Sequence, residues 1–163
     1  MPVHTCERKP GRYGTGVCST SEDPRKPARV GKLGEIAVGY LLGLEPNFGV
    51  ERRGDKHDFI LNGLSYDIKT NKCYHDYETG LVIKRNHHTG HNHELESDIY
   101  VFAFLSKEVV GESANVMVVG WSTREDVSVC PVRPGKISGC DWLNYEVPYE
   151  SLESVGTLPG ILA

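Results

Sequence analysis

The sequence predicts a single mixed α/β domain, and three observations carry that prediction. An amphipathic segment with helical spacing comes first, at residues 30–44. An Asn-Gly dipeptide at 62–63 then joins two strand-like runs, and apolar runs at 99–105 and 115–121 have the character of central strands. The expected architecture is a mixed β-sheet flanked by helices. At 163 residues, 39% of them apolar, the chain is long enough to bury a real core and too apolar to be wholly disordered. No apolar run approaches the length that spans a bilayer.

Within residues 30–44, Val30, Leu33, Ala37, Tyr40, Leu41 and Leu44 recur at helical spacing, and Pro46 marks the end. Gly34, Gly39 and Gly43 in that segment each cost about 1 kcal/mol relative to Ala, which points to another backbone packed closely against it. Residues 48–52 read as a strand. Residues 58–61 and 64–70, separated by Asn62-Gly63, form the clearest local signal, a hairpin with a type I′ turn. A shorter strand is expected at 81–85, followed by a polar, His-rich loop at 86–96. Ser122 to Asp126 opens a short helix, 130–140 is a Pro- and Gly-punctuated loop, and 149–155 is one or two helical turns. No internal repeat or linker divides residues 30–163.

The net charge of −4 averages two unlike parts. Residues 1–32 carry seven basic residues against three acids, a balance of +4, whereas residues 33–163 carry a balance of −8. Residues 1–29 mix Pro, Gly, Ser, Thr and charge with almost no apolar periodicity, so they are expected to form a flexible basic arm. Near Met1 there is no apolar stretch of the kind that directs secretion. The five cysteines are odd in number, scattered and without a C-x-x-C pair, which argues against a disulfide framework or a standard zinc finger. Together these features predict a cytoplasmic protein with reduced thiols.

The hairpin carries the chemistry. A two-residue loop pairs Leu61 with Leu64, Ile60 with Ser65, Phe59 with Tyr66 and Asp58 with Asp67. Alternation then puts Phe59, Leu61, Leu64, Tyr66 and Ile68 on a core face, and Asp58, Ile60, Ser65, Asp67 and Lys69 on the other. Two carboxylates facing each other at about 5 Å destabilise a sheet unless they are solvated, protonated or bridged by a cation. Two acids and a lysine on one face suit metal-assisted phosphodiester hydrolysis. Mg²⁺, or Mn²⁺ in its place, is held by one or two carboxylates with water and phosphate oxygens. The lysine can orient or deprotonate a water, or stabilise developing negative charge. Between Leu33 and Leu44 the only charged residue is Glu35, on a stripe with Val38 and Leu42, so this acid also needs a partner.

In this combination the chain resembles the PD-(D/E)xK nuclease superfamily. The matching residues are Glu35 within Gly31-Lys-Leu-Gly-Glu-Ile-Ala-Val on a first helix, Asp58 opening a strand, and Asp67-Ile68-Lys69 on the next. The resemblance covers about residues 30–70. It implies a restriction-endonuclease-like core, Asp58 and Asp67 as ligands of a divalent metal, and Lys69 acting on the attacking water. It further implies that Glu35 assists at the metal and that the Ile68 carbonyl is an additional ligand. Two departures are visible: neither Asp58 nor its rival Asp55 follows a Pro, and the triplet uses Asp where Glu is commoner. The chain has no Gln, so the glutamine motif of RecB-type exonucleases is absent, which favours resolvase-like, restriction-like or phage-type small nucleases.

The function these residues imply is a Mg²⁺-dependent endonuclease acting on DNA, with RNA not excluded. Two alternatives stay open: a Holliday-junction resolvase, or a non-catalytic nucleic-acid-binding protein of phage or mobile-element type with the same fold. Candidate phosphate contacts are Lys84 and Arg85 on the short strand, and Arg25, Lys26, Arg29 and Lys32 near the arm. A homodimer would supply two active centres. His87, His88, His91 and His93, with His75 and Cys73 upstream, match no standard zinc spacing and read as a polar loop near nucleic acid.

Overall fold

Helix α1 spans Arg25–Leu41 in the computed structural model, which describes residues 25–45, 57–72, 79–85, 94–110, 113–134 and 143–161. It begins at Arg25 rather than Val30, so the boundary expected at residue 29 moves, and Arg25, Lys26 and Arg29 belong to the helix instead of the arm. Pro27 does not prevent this, because the N–H groups of a first helical turn have no intrahelical acceptor to lose. The C-terminus closes earlier than expected, at Leu41, through a Schellman motif. Gly43 takes a positive φ of 67°, its N–H donates to the Tyr40 carbonyl at 3.1 Å, and the Leu44 N–H reaches the Gly39 carbonyl at 2.9 Å. Leu44 then packs on the same apolar cluster as Val38. The strand expected at 48–52 lies outside the described residues.

The hairpin has the expected turn and register from Phe59 to Tyr66, but Asp58, expected to open the first strand facing Asp67, lies just outside the paired residues. Strand β1 is Phe59–Leu61 and β2 is Leu64–Lys72, paired antiparallel as Phe59↔Tyr66, Ile60↔Ser65 and Leu61↔Leu64. Asn62 and Gly63 have φ of 53° and 80°, as a type I′ turn requires. Tyr66 and Ile68 are buried, while Ile60 on the opposite face is exposed.

Strands β3 (Thr79–Arg85), β4 (Ile99–Val110) and β5 (Ser113–Thr123) follow, then a short helix α2 (Arg124–Ser128), β6 (Val132–Pro134) and β7 (Leu143–Pro148). Two sheets form where the sequence suggested one. The first is four-stranded and mixed, in the order β1-β2-β4-β5, with β2 and β4 parallel; the second is three-stranded, in the order β3-β7-β6. Residues 99–103 of β4 are buried on both faces, which explains their continuous apolar run. Ile99 and Val101 join Val38 and Leu42 of α1 and Tyr66 and Ile68 of β2 in one cluster. Tyr100 and Phe102 join Val82 of β3, Val127 of α2, and Tyr145 and Val147 of β7 in a second. One face of the mixed sheet is therefore covered by α1 and the other by the small sheet and α2, rather than by helices on both sides.

Three further differences are local. Helix α2 starts at Arg124, two residues later than expected, because Thr123 is its N-cap and accepts the Asp126 N–H. Strand β6 lies within the loop expected at 130–140, and β7 follows it, with Tyr145 and Val147 repeating at a period of two. Only Tyr149–Ser151 of the helical turns expected at 149–155 is 3-10 helix; Glu153 bridges to Trp121 in extended form, and a second 3-10 turn follows at Val155–Thr157. No helix among the described residues is long and apolar enough to cross a membrane.

Candidate active site

Asp67 and Lys69 stand two residues apart on β2 and point to the same side. They form an ion pair, Lys69 Nζ to Asp67 Oδ1, at 2.7 Å. Register places Asp67 beside Tyr100 and Lys69 beside Phe102 on the parallel strand β4. Both residues therefore belong to the face that the second sheet covers, and the rigid centre of the mixed sheet fixes their spacing.

Asp58 sits one step beyond the end of β1. Its backbone N–H donates to the Tyr66 carbonyl at 2.8 Å, and its Oδ2 accepts the Ile68 N–H at 2.6 Å. The acid of the first strand is thus fastened to the residue between Asp67 and Lys69. In a strand the N–H and C=O of one residue leave on the same side, so the Ile68 carbonyl leaves β2 on the same edge as the N–H bonded to Asp58.

Charge makes this arrangement costly without a cation. Burial, then the Asp67 charge and more weakly that of Glu35, push the Asp58 carboxyl up to about 7, against the opposing influence of the Ile68 N–H and Lys69. Burial alone would pull the Lys69 ammonium down. The charge and hydrogen bond of Asp67, with the charges of Asp58 and Glu35, outweigh it and hold the Lys69 pKa above the ordinary lysine value. Lys69 is therefore a cation throughout the neutral range. Tyr100, pressed beside Asp67, is pushed up to about 12, first by burial and then by that carboxylate.

Glu35 stands on α1 on the stripe that carries the buried Val38 and Leu42. Gly34 lets the helix come close: a Cβ built there would lie 1.7 Å from Thr70 Oγ1 on β2. Glu35 acts on Asp58 and Lys69 through its charge, while its carboxylate is ion-paired with Lys32 one turn earlier on the helix. Among the described residues no three His, Cys, Asp or Glu side chains gather into one ligand group, so Glu35, Asp58 and Asp67 do not form a ready-made cage. The donor set still suits Mg²⁺, which commonly takes one or two carboxylates. Asp58, Asp67 and the Ile68 carbonyl would hold it, and it would relieve the unfavourable charge on Asp58.

The remaining predicted residues are dispersed. Lys84 Nζ lies 5.2 Å over the Tyr145 ring in the second sheet, and Arg85 is paired through its backbone with Leu143 beyond a bulge. Lys32 is engaged by Glu35. Arg25, Lys26 and Arg29 occupy backbone positions in α1, with Arg25, Arg29 and Lys32 at the i, i+4, i+7 spacing of one stripe. Asp55, Cys73, His75 and the cluster His87, His88, His91 and His93 lie outside the described residues.

Sequence reasoning missed a polar network next to the acids. His57 Nδ1 is 3.0 Å from Ser97 Oγ, and Asp98 Oδ2 accepts from both the Ser65 N–H, at 2.9 Å, and the Ser65 hydroxyl, at 2.6 Å. Arg124 closes it with an ion pair to Asp98 Oδ1 at 2.6 Å. These contacts span 26 to 40 residues along the chain, so no local pattern announces them. Compared with protein-family models, with curated proteins and with solved structures, the chain matches none of them.

Proposed function

We propose that this protein is a Mg²⁺-dependent nuclease that hydrolyses phosphodiester bonds, acting as an endonuclease on DNA through a restriction-endonuclease-like core. The observation that carries the reading is the junction of Asp58 with the Asp67-Ile68-Lys69 triplet, where Asp58 accepts the Ile68 N–H, Lys69 is ion-paired with Asp67, and the Asp58 carboxyl is raised to about 7. Asp58 and Asp67, with the Ile68 carbonyl, would hold the divalent ion, which when bound neutralises phosphate charge and acidifies a water. Lys69, a persistent cation, suits an electrostatic role better than that of a base: it would orient the attacking water and stabilise the negative charge on the phosphoryl oxygens in the transition state. Glu35 adds negative charge at the rim, and Lys32, released from it, can meet a phosphate of the substrate.

The test is direct. Purified protein with Mg²⁺ or Mn²⁺ is incubated with plasmid, linear, single-stranded and branched DNA and with RNA. Metal-dependent cleavage that disappears in Lys69→Ala, with unchanged circular dichroism, supports the reading. Preference for the branched substrate would make it a junction resolvase, and intact substrates throughout would leave a binding protein instead.

A further inference from the structure

The acids at the candidate centre are held by a clamp that starts some distance from them, at the first residue of α2. Arg124 makes three side-chain contacts to one bend ahead of β4. Its Nε donates to the Ser97 carbonyl at 3.0 Å, and its Nη2 donates to the Glu96 carbonyl at 3.1 Å and to Asp98 Oδ1 at 2.6 Å. Its backbone N–H adds a fourth, to the Asp98 carbonyl at 3.0 Å. From this bend two arms reach residues that flank the acids. Asp98 grips Ser65, two residues before Asp67 on β2, through both the amide and the hydroxyl. Ser97 holds His57, the residue before Asp58, at 3.0 Å.

Ordinary stability does not account for the clamp. The Arg124 and Asp98 side chains are each 39% exposed, and ion pairs that open to water contribute little to folding, on the order of 0–1 kcal/mol. What four bonds to one bend do accomplish is geometric. They give Asp58 and Asp67, which come from different strands, a common reference point. Groups that orient ligating carboxylates from behind commonly matter as much as the ligands.

We infer that Arg124, acting through the bend at residues 96–98 and through His57, positions Asp58 relative to Asp67 for a divalent cation. Arg124, Ser97 and His57 are positioning residues, since none of them is proposed to touch the ion or the substrate. The inference rests on the nuclease reading, in which those two acids are ligands.

Mn²⁺ affinity of the full chain, measured by the loss of the free-ion paramagnetic resonance signal, tests it without recourse to turnover. Arg124→Lys keeps the charge but not the fork, and His57→Ala removes the second arm. Each is expected to weaken Mn²⁺ binding about tenfold with the circular dichroism spectrum unchanged. His57→Asn, which retains a nitrogen near the Nδ1 position, should recover most of the loss. Ser97→Ala should match His57→Ala, and the double variant should lose no more than either single, because both interrupt one path. Arg133→Ala, which breaks an exposed pair with Glu146 on the second sheet, serves as the control and should bind as wild type. Wild-type affinity in Arg124→Lys and His57→Ala, or additive losses in the double variant, overturns the inference while the nuclease reading stands. If Arg124→Lys fails to fold, Ser97→Ala decides alone, since it removes a single oxygen. A wild-type chain that binds no Mn²⁺ overturns both.

Discussion

The carboxylate of Asp58 accepts the backbone N–H of Ile68 at 2.6 Å, so an acid from one strand is bonded to the residue that separates Asp67 from Lys69 on the next. That bond draws Asp58 into a buried position beside a second acid, and the consequences can be measured.

Replacing Asp58 with Asn keeps an oxygen for the Ile68 N–H and removes a buried charge. Asp58→Asn should therefore stabilise the metal-free protein at pH 8, by on the order of 2 kcal/mol, while abolishing any gain in stability from Mg²⁺. Urea unfolding with EDTA and with Mg²⁺ reads both effects. A destabilised metal-free variant would show that Asp58 serves the fold and not a cation.

The pH dependence has a definite sign. The Asp58 carboxyl is raised from 3.8 to about 7 in the folded state, so between these values the folded chain holds more protons than the unfolded one. Stability contributed by this group accordingly falls as pH rises through that window. Asp98, held low first by the Ser65 hydroxyl and then by its N–H, loses its contribution only at more acid pH and does not oppose the trend. Thermal melts in EDTA should decline from pH 5 to pH 8, and the increase in Tm on adding Mg²⁺ should be larger at pH 8 than at pH 6, because proton and metal compete for the same oxygens. A Mg²⁺ effect independent of pH would contradict this.

Lys69 is a side chain whose charge the mechanism requires and whose loss leaves the ladder hydrogen bonds untouched. Lys69→Ala should lower the cleavage rate by about a hundredfold or more, with retained secondary structure. It should also lower the metal-free melting temperature at pH 8, since Asp67 loses its partner at 2.7 Å. Single-turnover cleavage and thermal melts separate the two effects.

The close approach of α1 to β2 at Gly34 can be tested by stability alone. Ala is a better helix former by about 1 kcal/mol, yet a Cβ at Gly34 would meet Thr70 Oγ1 at 1.7 Å. Gly34→Ala should destabilise the domain by about 1–3 kcal/mol. Thr70 Oγ1 is buried and finds no hydrogen-bond partner among the described residues, so Thr70→Ala should be well tolerated and should recover part of the loss in Gly34→Ala, the Cβ of residue 70 still standing 2.9 Å from the added carbon. A Gly34→Ala variant as stable as wild type would mean that the helix does not pack there.

Local chemistry accounts for what was legible in the sequence. Asn62-Gly63 admits the positive φ pair of a type I′ turn, that turn fixes the register, and a period of two then assigns every hairpin side chain to a face. Those steps put Asp67 and Lys69 on one side of β2, whereas Asp58, just outside the ladder, is joined to them by its bond to the Ile68 N–H. Glu35 was legible for a similar reason, as the one charge on an otherwise apolar helical stretch. The start of α1 was not, because a first turn tolerates Pro27 and charge that elsewhere signal an irregular segment.

Tertiary structure decided the rest. The division into two sheets depends on β3 pairing with β7 across about sixty residues, a choice made by which apolar faces meet and not by the strands themselves. The pairing of Lys32 with Glu35 and the clamp from Arg124 to His57 depend on where side chains end up after the chain has folded. So does the raised Asp58 carboxyl, since its cause is desolvation. By itself the sequence determined which residues could do the chemistry and on which side of the hairpin they stand. Only the fold determined how deeply they are buried and what holds them there, because desolvation and long-range hydrogen bonds exist only once distant segments are packed together.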